Sequence, residues 1–332
     1  MKLHITAIPQ GTRTFLFEEA ERKRRIEQAI FNGLKKRGFQ EIVTPLLEYY
    51  DSAAAGLGED VGRIMRLAEE DSGMAMAMRA DITSQVARSA ATHLGKLPLP
   101  LKLCYTGPVF RRARKGKGEQ YVLNQSGMEL IGVAGPEGDA EIVASIVASM
   151  KAVGLRKYAL SVGHAGVMGS LLKKTGTASL GKIKAAISKK DKVALAEALN
   201  KNGYKKELSD RIMRLAVLCG GVSVLKEAKK LCAGYEDAEA AIQNLEKFLK
   251  AVGSKEFEKK LVIDFGEMRG WGYYTGIIME LFSSSMLALG AGGRYDNLVA
   301  RFGKNLPAAG FAFDVDRLIE AVTRQNAVAK KG

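Results

Sequence analysis

Short apolar runs interrupted by turn-forming residues set the narrowest limit on how this chain can fold. Residues 101–105 are followed by Gly107 and Pro108, and residues 128–133 are followed by a second Gly-Pro pair. Connections this short join antiparallel strands, whereas parallel strands need long crossovers. Similar strand-like runs occupy residues 41–44, 261–265, 277–281 and 309–313. The pattern therefore predicts an antiparallel sheet.

Segments with helical periodicity lie around these runs. In residues 14–37, Ile26, Ile30 and Leu34 recur at i, i+4 and i+8, which places them on one face of a helix that Gly38 is suited to end. Three further helices are predicted over residues 83–93, 139–153 and 314–325. Together with the antiparallel sheet, these flanking helices indicate the α+β class.

Residues 166–256 differ from the rest of the chain in composition. They contain no proline and are rich in Ala, Lys and Leu. Helices are predicted here over residues 182–186, 193–199, 210–218 and 238–252. We interpret this stretch as a helical insertion into a core formed by residues 1–165 and 257–325, and residues 326–332 as a flexible tail.

The charge balance needs an explanation. The chain carries 51 Lys and Arg against 36 Asp and Glu, a formal net charge of +15. An anionic ligand, a nucleic acid, an acidic partner or simply a lysine-rich solvated surface would each account for it. Much of the excess lies in the predicted helical insertion, and some lies in the basic loop of residues 111–117.

Composition excludes several classes of protein. No apolar stretch approaches the roughly 18 residues of a membrane-spanning helix, and no apolar signal core stands near Met1, so we expect a cytoplasmic protein without membrane contact. Three cysteines without a CxxC pair and three histidines argue against a metal site. Aromatic residues make up 7% of the chain, which disfavours a protein that binds single strands by base stacking.

Several polar residues stand inside strand-like sequence. Gln125 and Glu129 are four residues apart, which places their side chains on the same face of a strand. Residues 292–296, Gly-Gly-Arg-Tyr-Asp, are interpreted as a glycine turn followed by an ion pair. The other members of this set are Asp81, Arg111, Arg269, Tyr273 and Tyr274.

Each of these residues alone is explained by a satisfied buried pair or by a charge at a strand end. Taken together, they suit a zwitterion with a polar ring. Carboxylates bind an ammonium group, arginine binds a carboxylate, and a tyrosine hydroxyl can bond an imidazole nitrogen.

Around these residues the sequence resembles the catalytic domain of histidyl-tRNA synthetases, which are class II aminoacyl-tRNA synthetases. Residues 269–276, Arg-Gly-Trp-Gly-Tyr-Tyr-Thr-Gly, are similar to a histidine-specific motif of that family, and residues 292–296 match a second motif. Weaker similarities to other family motifs occupy residues 44–48, 78–83, 105–112, 125–132 and 309–317. The resemblance implies a class II synthetase-like antiparallel sheet flanked by helices.

Departures from that family bear on function. Ala113 stands where the family has an acidic residue, Tyr121 where it has an arginine, and Asp314 where it has a glycine beneath the adenine. A carboxylate at Asp314 would add bulk and negative charge facing a nucleotide. We expect no anticodon-binding domain after Arg317, since about fifteen residues follow it.

A synthetase-like chain with a histidine pocket and an altered nucleotide pocket is similar to the regulatory subunits of ATP phosphoribosyltransferase, the first enzyme of histidine biosynthesis. That resemblance implies a non-catalytic chain that activates a separate short-form catalytic subunit and mediates feedback inhibition by L-histidine. It also implies self-association to a dimer within a hetero-octamer, and no specific nucleic-acid partner. No cofactor, metal or catalytic residue is expected; histidine would be a regulatory ligand.

The same resemblance implies how the ammonium group of histidine is held. Asp81 and Glu129 would bind it, assisted by a hydroxyl group from Thr83 or Tyr274. Arg111 belongs to the predicted ligand-binding residues as well.

The carboxylate and the ring of histidine would contact other residues. Gln125 and Arg269 would lie near the carboxylate, and Tyr273 would contact the imidazole. The glycine-bracketed loop at residues 266–276 is the candidate mobile element.

Two other functions stay open. The first is a histidine-activating enzyme that transfers the amino acid to a carrier other than tRNA, with Arg111 and Arg317 clamping a nucleotide. The second is a nucleic-acid-binding protein that uses the lysines of residues 173–206, for which binding would depend steeply on salt.

Overall fold

The structure is a computed structural model of the chain. It describes residues 5–69, 71–113, 120–173, 175–253, 255–268 and 272–329. The chain folds into two compact units. Unit 1 comprises residues 1–132, 145–156 and 297–332, and unit 2 comprises residues 133–144 and 157–296. The predicted division into a core and an insertion at residues 166–256 follows different boundaries and stays a prediction.

Strands form mixed sheets in both units. The strands are β1 Gln40–Glu41, β2 Leu47–Tyr49, β3 Arg66–Ala68, β4 Ala75–Met78, β5 Leu101–Phe110, β6 Val122–Ile131, β7 Tyr158–His164, β8 Cys219–Gly220, β9 Leu261–Asp264, β10 Ile277–Ser283, β11 Ala288–Arg294 and β12 Ala308–Asp314.

Unit 1 holds a four-stranded and a three-stranded sheet. The larger has the order β1–β5–β6–β12, in which β1 and β5 are parallel and the other pairs antiparallel. Its register places Tyr105 opposite Gly127 on β6, and Glu129 and Gln125 opposite Gly310 and Asp314 on β12. The smaller sheet has the order β2–β4–β3 and is antiparallel.

Unit 2 holds the strands in the order β11–β10–β7–β9–β8. Strand β10 is antiparallel to both β11 and β7, and β7 and β9 are parallel. The short β8 pairs with β9 in the antiparallel sense. The sequence predicts β9 and β10, whereas β7 and β11 were not predicted.

The helices cover the sheets. They are α1 Phe17–Lys35, α2 Tyr50–Leu57, α3 Thr83–Ala91, α4 Pro136–Ala152, α5 Ala165–Leu171, α6 Thr177–Ser188, α7 Lys192–Lys201, α8 Lys206–Leu215, α9 Val224–Cys232, α10 Glu236–Val252, α11 Lys255–Glu258 and α12 Val315–Ala329. Helix α1 buries Ile26, Ile30 and Leu34 as predicted, and it packs on β5 and α12. The helices predicted within residues 166–256 correspond to α6, α7, α8 and α10. The mixed sheets flanked by helices confirm the predicted α+β class.

Two predicted turns are wrong, because their glycines lie within strands. Strand β5 continues through Gly107 and Pro108, where β1 no longer pairs with it and the carbonyl of Pro108 instead accepts a hydrogen bond from Arg79 Nε at 2.8 Å. A proline is tolerated on such an unpaired edge, since its missing N–H is not needed there. Residues Gly292 and Gly293, predicted as a turn, belong to β11.

Two boundaries also differ from the sequence predictions. The strand expected over residues 41–44 ends at Glu41. Helix α12 continues to Ala329, into the segment predicted as a flexible tail, and residues 330–332 lie outside the described part of the chain. Within the described residues, no helix is both long enough and apolar enough to span a membrane.

Candidate functional site

A buried carboxylate on β6 forms the centre of the candidate site in unit 1. Glu129 is 1% exposed. Its Oε1 accepts hydrogen bonds from Thr83 Oγ1 at 2.7 Å and from the Tyr105 hydroxyl at 3.1 Å. Thr83 is the first residue of α3, and Tyr105 lies on β5, so a helix start and the neighbouring strand both orient the carboxylate. The predicted pair Thr83 and Glu129 is therefore brought into contact.

Glycines on the two neighbouring strands make room for this arrangement. A Cβ atom on Gly310 of β12 would lie 1.6 Å from Glu129 Oε2, and a Cβ atom on Gly127 would lie 2.5 Å from the Tyr105 hydroxyl. Contacts this short exclude any side chain at either position without movement of its neighbour. The glycine on β6 between Gln125 and Glu129 thus allows the phenol ring of Tyr105 to lie across the strand.

Asp81 and Arg111 form the second part of the site. Arg111 Nη2 lies 3.8 Å from Asp81 Oδ1, an ion pair too long to be a hydrogen bond. Arg111 Nε donates instead to the carbonyl of Ala80 at 2.8 Å. Burial raises the pKa of Asp81, although Arg111 and the backbone N–H groups at the start of α3 lower it.

The carboxylates of Glu129 and Asp81 both raise the pKa of the Tyr105 hydroxyl. Burial raises the pKa of Tyr105 well above its ordinary value, and the negative charges of Glu129 and then Asp81 raise it further. Tyr105 therefore stays protonated and can donate to Glu129. Two negative charges near one phenol make its surroundings favourable for a cation.

Gln125 presents an unused acceptor on the same face of β6. Its Oε1 is buried and makes no hydrogen bond within the part of the chain that the structure describes. A buried acceptor without a donor is unfavourable by about 1 to 3 kcal/mol. This atom can therefore accept a donor from a ligand.

Arg79 was not predicted as a site residue, yet it supports the segment that carries Asp81 and Thr83. It is 4% exposed, and its Nη1 donates to the carbonyl of Thr44 at 2.9 Å, in addition to the bond from Nε to Pro108. Its backbone bonds Leu46 and Phe110. Burial lowers the pKa of this guanidinium. Arg79 thereby fixes the start of α3 against β5.

Tyr273 and Tyr274 lie in unit 2. Their ring centroids are 5.1 Å apart in an edge-to-face arrangement, and Tyr273 also contacts the ring of Tyr295 at 5.4 Å. Tyr274 lines a cavity of about 210 Å³ together with Gly166, Glu267 and Ile278. Arg269, the remaining predicted site residue, lies outside the described residues, as do residues 114–117 of the basic loop.

The two most specific sequence motifs meet in unit 2. The backbone N–H of Thr275 donates to the carbonyl of Arg294 at 2.7 Å, and Thr275 Oγ1 accepts from the N–H of Asp296 at 3.0 Å. The predicted ion pair is present, since Arg294 Nη1 lies 2.9 Å from Asp296 Oδ1. Arg294 Nε also bonds the fully buried Asp139 at 2.9 Å. Arg294 is thus a structural residue, and its carbonyl holds Thr275, which follows Tyr273 and Tyr274.

Asp314, which stands where the synthetase resemblance expects a glycine, forms an ion pair within the chain. Asp314 Oδ2 lies 3.2 Å from Arg317 Nε, and Asp314 Oδ1 accepts the backbone N–H of Arg317 at 3.1 Å. Burial raises the pKa of Asp314, while Arg317 lowers it. The arginine that a histidine-activating enzyme would need as a nucleotide clamp is therefore engaged by a carboxylate of its own chain.

Comparison with known proteins assigns the chain to a family. The family described as Histidyl-tRNA synthetase matches residues 11–318. An ATP phosphoribosyltransferase regulatory subunit of Geobacter sulfurreducens is 37% identical over 96% of this chain and 73% of its own length. The chain belongs to the family of ATP phosphoribosyltransferase regulatory subunits. A protein of the same name from Geobacter metallireducens is 35% identical over 96% of this chain and 74% of its own length.

A solved structure of the same regulatory-subunit family supports the fold. It is described as an ATP phosphoribosyltransferase regulatory subunit/histidyl-tRNA synthetase from Bacillus halodurans, and it is 26% identical with a TM-score of 0.89 over 97% of this chain and 84% of that chain. Membership of the regulatory-subunit family confirms the prediction of a regulatory rather than a catalytic chain, and it does not favour the histidine-activating alternative. Among the described residues, no cluster of three His, Cys, Asp or Glu side chains is placed to hold a metal ion.

Proposed function

We propose that this chain binds L-histidine and regulates a short-form ATP phosphoribosyltransferase catalytic subunit. The observation that carries the ligand proposal is the buried Glu129, oriented by Thr83 and Tyr105, with the unused acceptor of Gln125 on the same face of β6. Carboxylates and an amide oxygen are acceptors, so the site suits the hydrogen-bond donors of a cationic group.

The proposed roles follow from the chemistry of each side chain. Asp81 and Glu129 supply negative charge for the ammonium group, and the hydroxyl of Thr83 orients one of them. Gln125 lies on the same face of β6 as Glu129 and would be near the carboxylate of histidine, to which its amide N–H group can donate. The contact of Tyr273 with the imidazole and that of Arg269 with the carboxylate are further parts of this proposal.

Regulation requires more than binding. A ligand shifts an equilibrium only by the difference in its affinity for the two states. In this proposal the pocket differs between an active and an inhibited assembly, and histidine binds the inhibited one more tightly. The assembly would be a hetero-octamer of this chain and the catalytic subunit, located in the cytoplasm, where ATP is available as substrate.

Self-association to a dimer is the second part of the assembly proposal. Four large apolar side chains stay exposed around the edge strand β2: Val43 at 83%, Leu46 at 49%, Leu47 at 45% and Tyr49 at 54%. Exposed large apolar side chains this close together in the sequence are typical of a protein interface. Burying it against a second copy is the arrangement we propose.

Calorimetry of L-histidine binding to the purified complex with the catalytic subunit tests the ligand site. We expect Glu129→Gln to weaken binding at least about tenfold, since a lost charge-assisted hydrogen bond is worth about 1.5 to 3 kcal/mol. Glu27→Gln is the control, because Glu27 is also buried but lies on α1. The same complexes are assayed for phosphoribosyl transfer with and without histidine.

Two results would contradict the proposal. Unchanged histidine affinity in Glu129→Gln would remove this pocket as the ligand site. Phosphoribosyl transfer that neither rises on addition of this chain nor falls with histidine would remove the regulatory role.

A further inference from the structure

The turn between α6 and α7 carries a compact group of unpaired positive charges. Lys189 and Lys190 follow α6, and Lys192 begins α7. All three side chains are exposed, and none forms an ion pair within the described residues. Asp191 lies among them, but its Oδ1 accepts the backbone N–H of Ala194 at 3.0 Å and so caps α7.

The surrounding sequence does not neutralise this charge. Residues 177–206 contain eight lysines and two carboxylates, Asp191 and Glu197. Neither carboxylate forms an ion pair with a lysine of the turn in the part of the chain described. Like charges held this close repel one another, which is unfavourable for the isolated chain and is relieved by an anionic partner.

The backbone at Lys190 has a conformation that glycine adopts more readily than lysine. Its φ is +53°, in the left-handed region that favours glycine. The turn ends α6 in the pattern in which glycine is preferred, with the N–H of Asp191 bonded to the carbonyl of Ala186 and that of Lys190 to Ile187. A lysine here is less favourable than glycine, by an amount on the order of 1 kcal/mol.

An apolar side chain lies beside these charges. Val193 is 70% exposed and directly follows Lys192. An apolar contact with a charged rim is typical of protein–protein interfaces. The group contains no arginine and no aromatic residue, whereas phosphate forks and base-stacking platforms, the usual means of binding nucleic acid, rely on those residues. The composition therefore favours a protein with surface carboxylates over RNA.

We propose that Lys189, Lys190, Lys192 and Val193, here called the lysine turn, dock a carboxylate-rich surface of a partner protein. This identification of the partner rests on the proposed function, under which it is the catalytic subunit. The lysine turn would contribute mainly to the rate of association and to the choice of partner, because exposed charges steer encounter more than they stabilise the bound complex.

Charge reversal at the lysine turn tests the inference with a matched control. The test variant combines Lys189→Glu, Lys190→Glu and Lys192→Glu. The control combines Lys201→Glu, Lys205→Glu and Lys206→Glu, which changes net charge equally at the end of α7 and the start of α8. Lys201 lies about 15 Å from the lysine turn, the length of a helix of ten residues. Affinity for the catalytic subunit is measured for both variants at about 50 and 300 mM salt, which spans a several-fold change in screening.

We expect the test variant to bind the catalytic subunit at least roughly tenfold more weakly than the unchanged chain at low salt, and the control to change by less than about threefold. The difference should shrink at high salt. Equal affinity of the test variant and the unchanged chain, or equal loss in both variants, would overturn the assignment. No binding by the unchanged chain would overturn the proposed function itself, which keeps the two failures distinct.

Lys190→Gly separates binding from folding. Glycine relieves the left-handed backbone, so the melting temperature should rise while affinity for the catalytic subunit falls a few-fold. A labelled single-stranded RNA is tested in parallel. If the test variant loses RNA binding and keeps its affinity for the catalytic subunit, the lysine turn is a nucleic-acid site and the inference is wrong.

Discussion

At the scale of single residues, the neutral form of the His164 ring is favoured by a hydrogen bond to one of its nitrogens and by burial. Its Nδ1 accepts the backbone N–H of Gly166 at 3.0 Å and thereby caps α5. Burial lowers the pKa of His164 from 6.5 to about 4, although a hydrogen bond with Asn244 raises it. Protonation would turn this acceptor into a donor and remove the cap, so the folded state favours the neutral ring.

The free energy of unfolding should therefore depend on pH through His164. Because the pKa is lower in the folded than in the unfolded state, the stabilisation is present above pH 6.5 and is lost as pH falls towards 4. Between roughly pH 7.5 and 4.5 we expect His164 to account for about 2 to 3 kcal/mol of lost stability. Urea unfolding across this range should show a shallower decline in His164→Asn than in the unchanged chain.

His93→Asn is the control for this prediction, since His93 is exposed. Its pH dependence should match that of the unchanged chain. If His164→Asn and His93→Asn lose stability equally on acidification, His164 does not fold as a neutral cap.

The sequence predicts site residues whose placement follows from local spacing, and it misses residues whose role depends on contacts between distant segments. The spacing of Gln125 and Glu129 placed both on one face of β6, and the resemblance supplied Thr83. Tyr105 and Arg79 were not predicted, because their roles follow from strand register and chain crossing. The signal for Tyr105 was present in Gly127, a glycine within a strand, which indicates close approach by another group.

At the scale of secondary-structure elements, Asp314 begins α12 as an N-cap. It ends β12, and its carboxylate accepts the N–H of Arg317 three residues on. We expect Asp314→Ala to lower the free energy of unfolding by about 1 kcal/mol, and Asp314→Asn to recover most of it because an acceptor remains. Chemical denaturation of the three proteins checks this; equal loss in Ala and Asn variants would contradict the cap.

Strand boundaries were harder to predict than helices. The four-residue spacing of Ile26, Ile30 and Leu34 is decided within α1 itself. By contrast, β5 passes through Gly107 and Pro108 because Arg79 bonds the carbonyl of Pro108 at the open edge. The sequence around Gly107 and Pro108 does not reveal this contact with Arg79, because the two segments are distant in the chain.

At the scale of the whole molecule, the exposed apolar residues around β2 lead to a test of self-association. We expect the purified chain to be a dimer by light scattering, and Val43→Asp to shift it to the monomer, because a buried unpaired carboxylate opposes association. Val193→Asp is the control, since Val193 is also exposed but lies on α7. A dimer that survives Val43→Asp would place the interface elsewhere.

The sequence gives the net charge of +15, but it does not show which of the basic side chains are paired with carboxylates. The structure pairs several of the basic residues, such as Arg294 with Asp139 and Arg317 with Asp314. It leaves the lysines at the α6–α7 turn exposed. Which charges are neutralised depends on tertiary contacts, so no count of residue types could have separated the two groups.

The ion pair between Asp314 and Arg317 bears on what a substitution at position 314 would do. Codons for aspartate and glycine can differ at a single base, so one point mutation would convert Asp314 to the glycine that the synthetase resemblance expects. Replacing Asp314 with glycine would release Arg317 from its carboxylate, and it would destabilise the start of α12 by only about a few tenths of a kcal/mol because glycine is itself a favoured N-cap, so the helix start barely opposes that change.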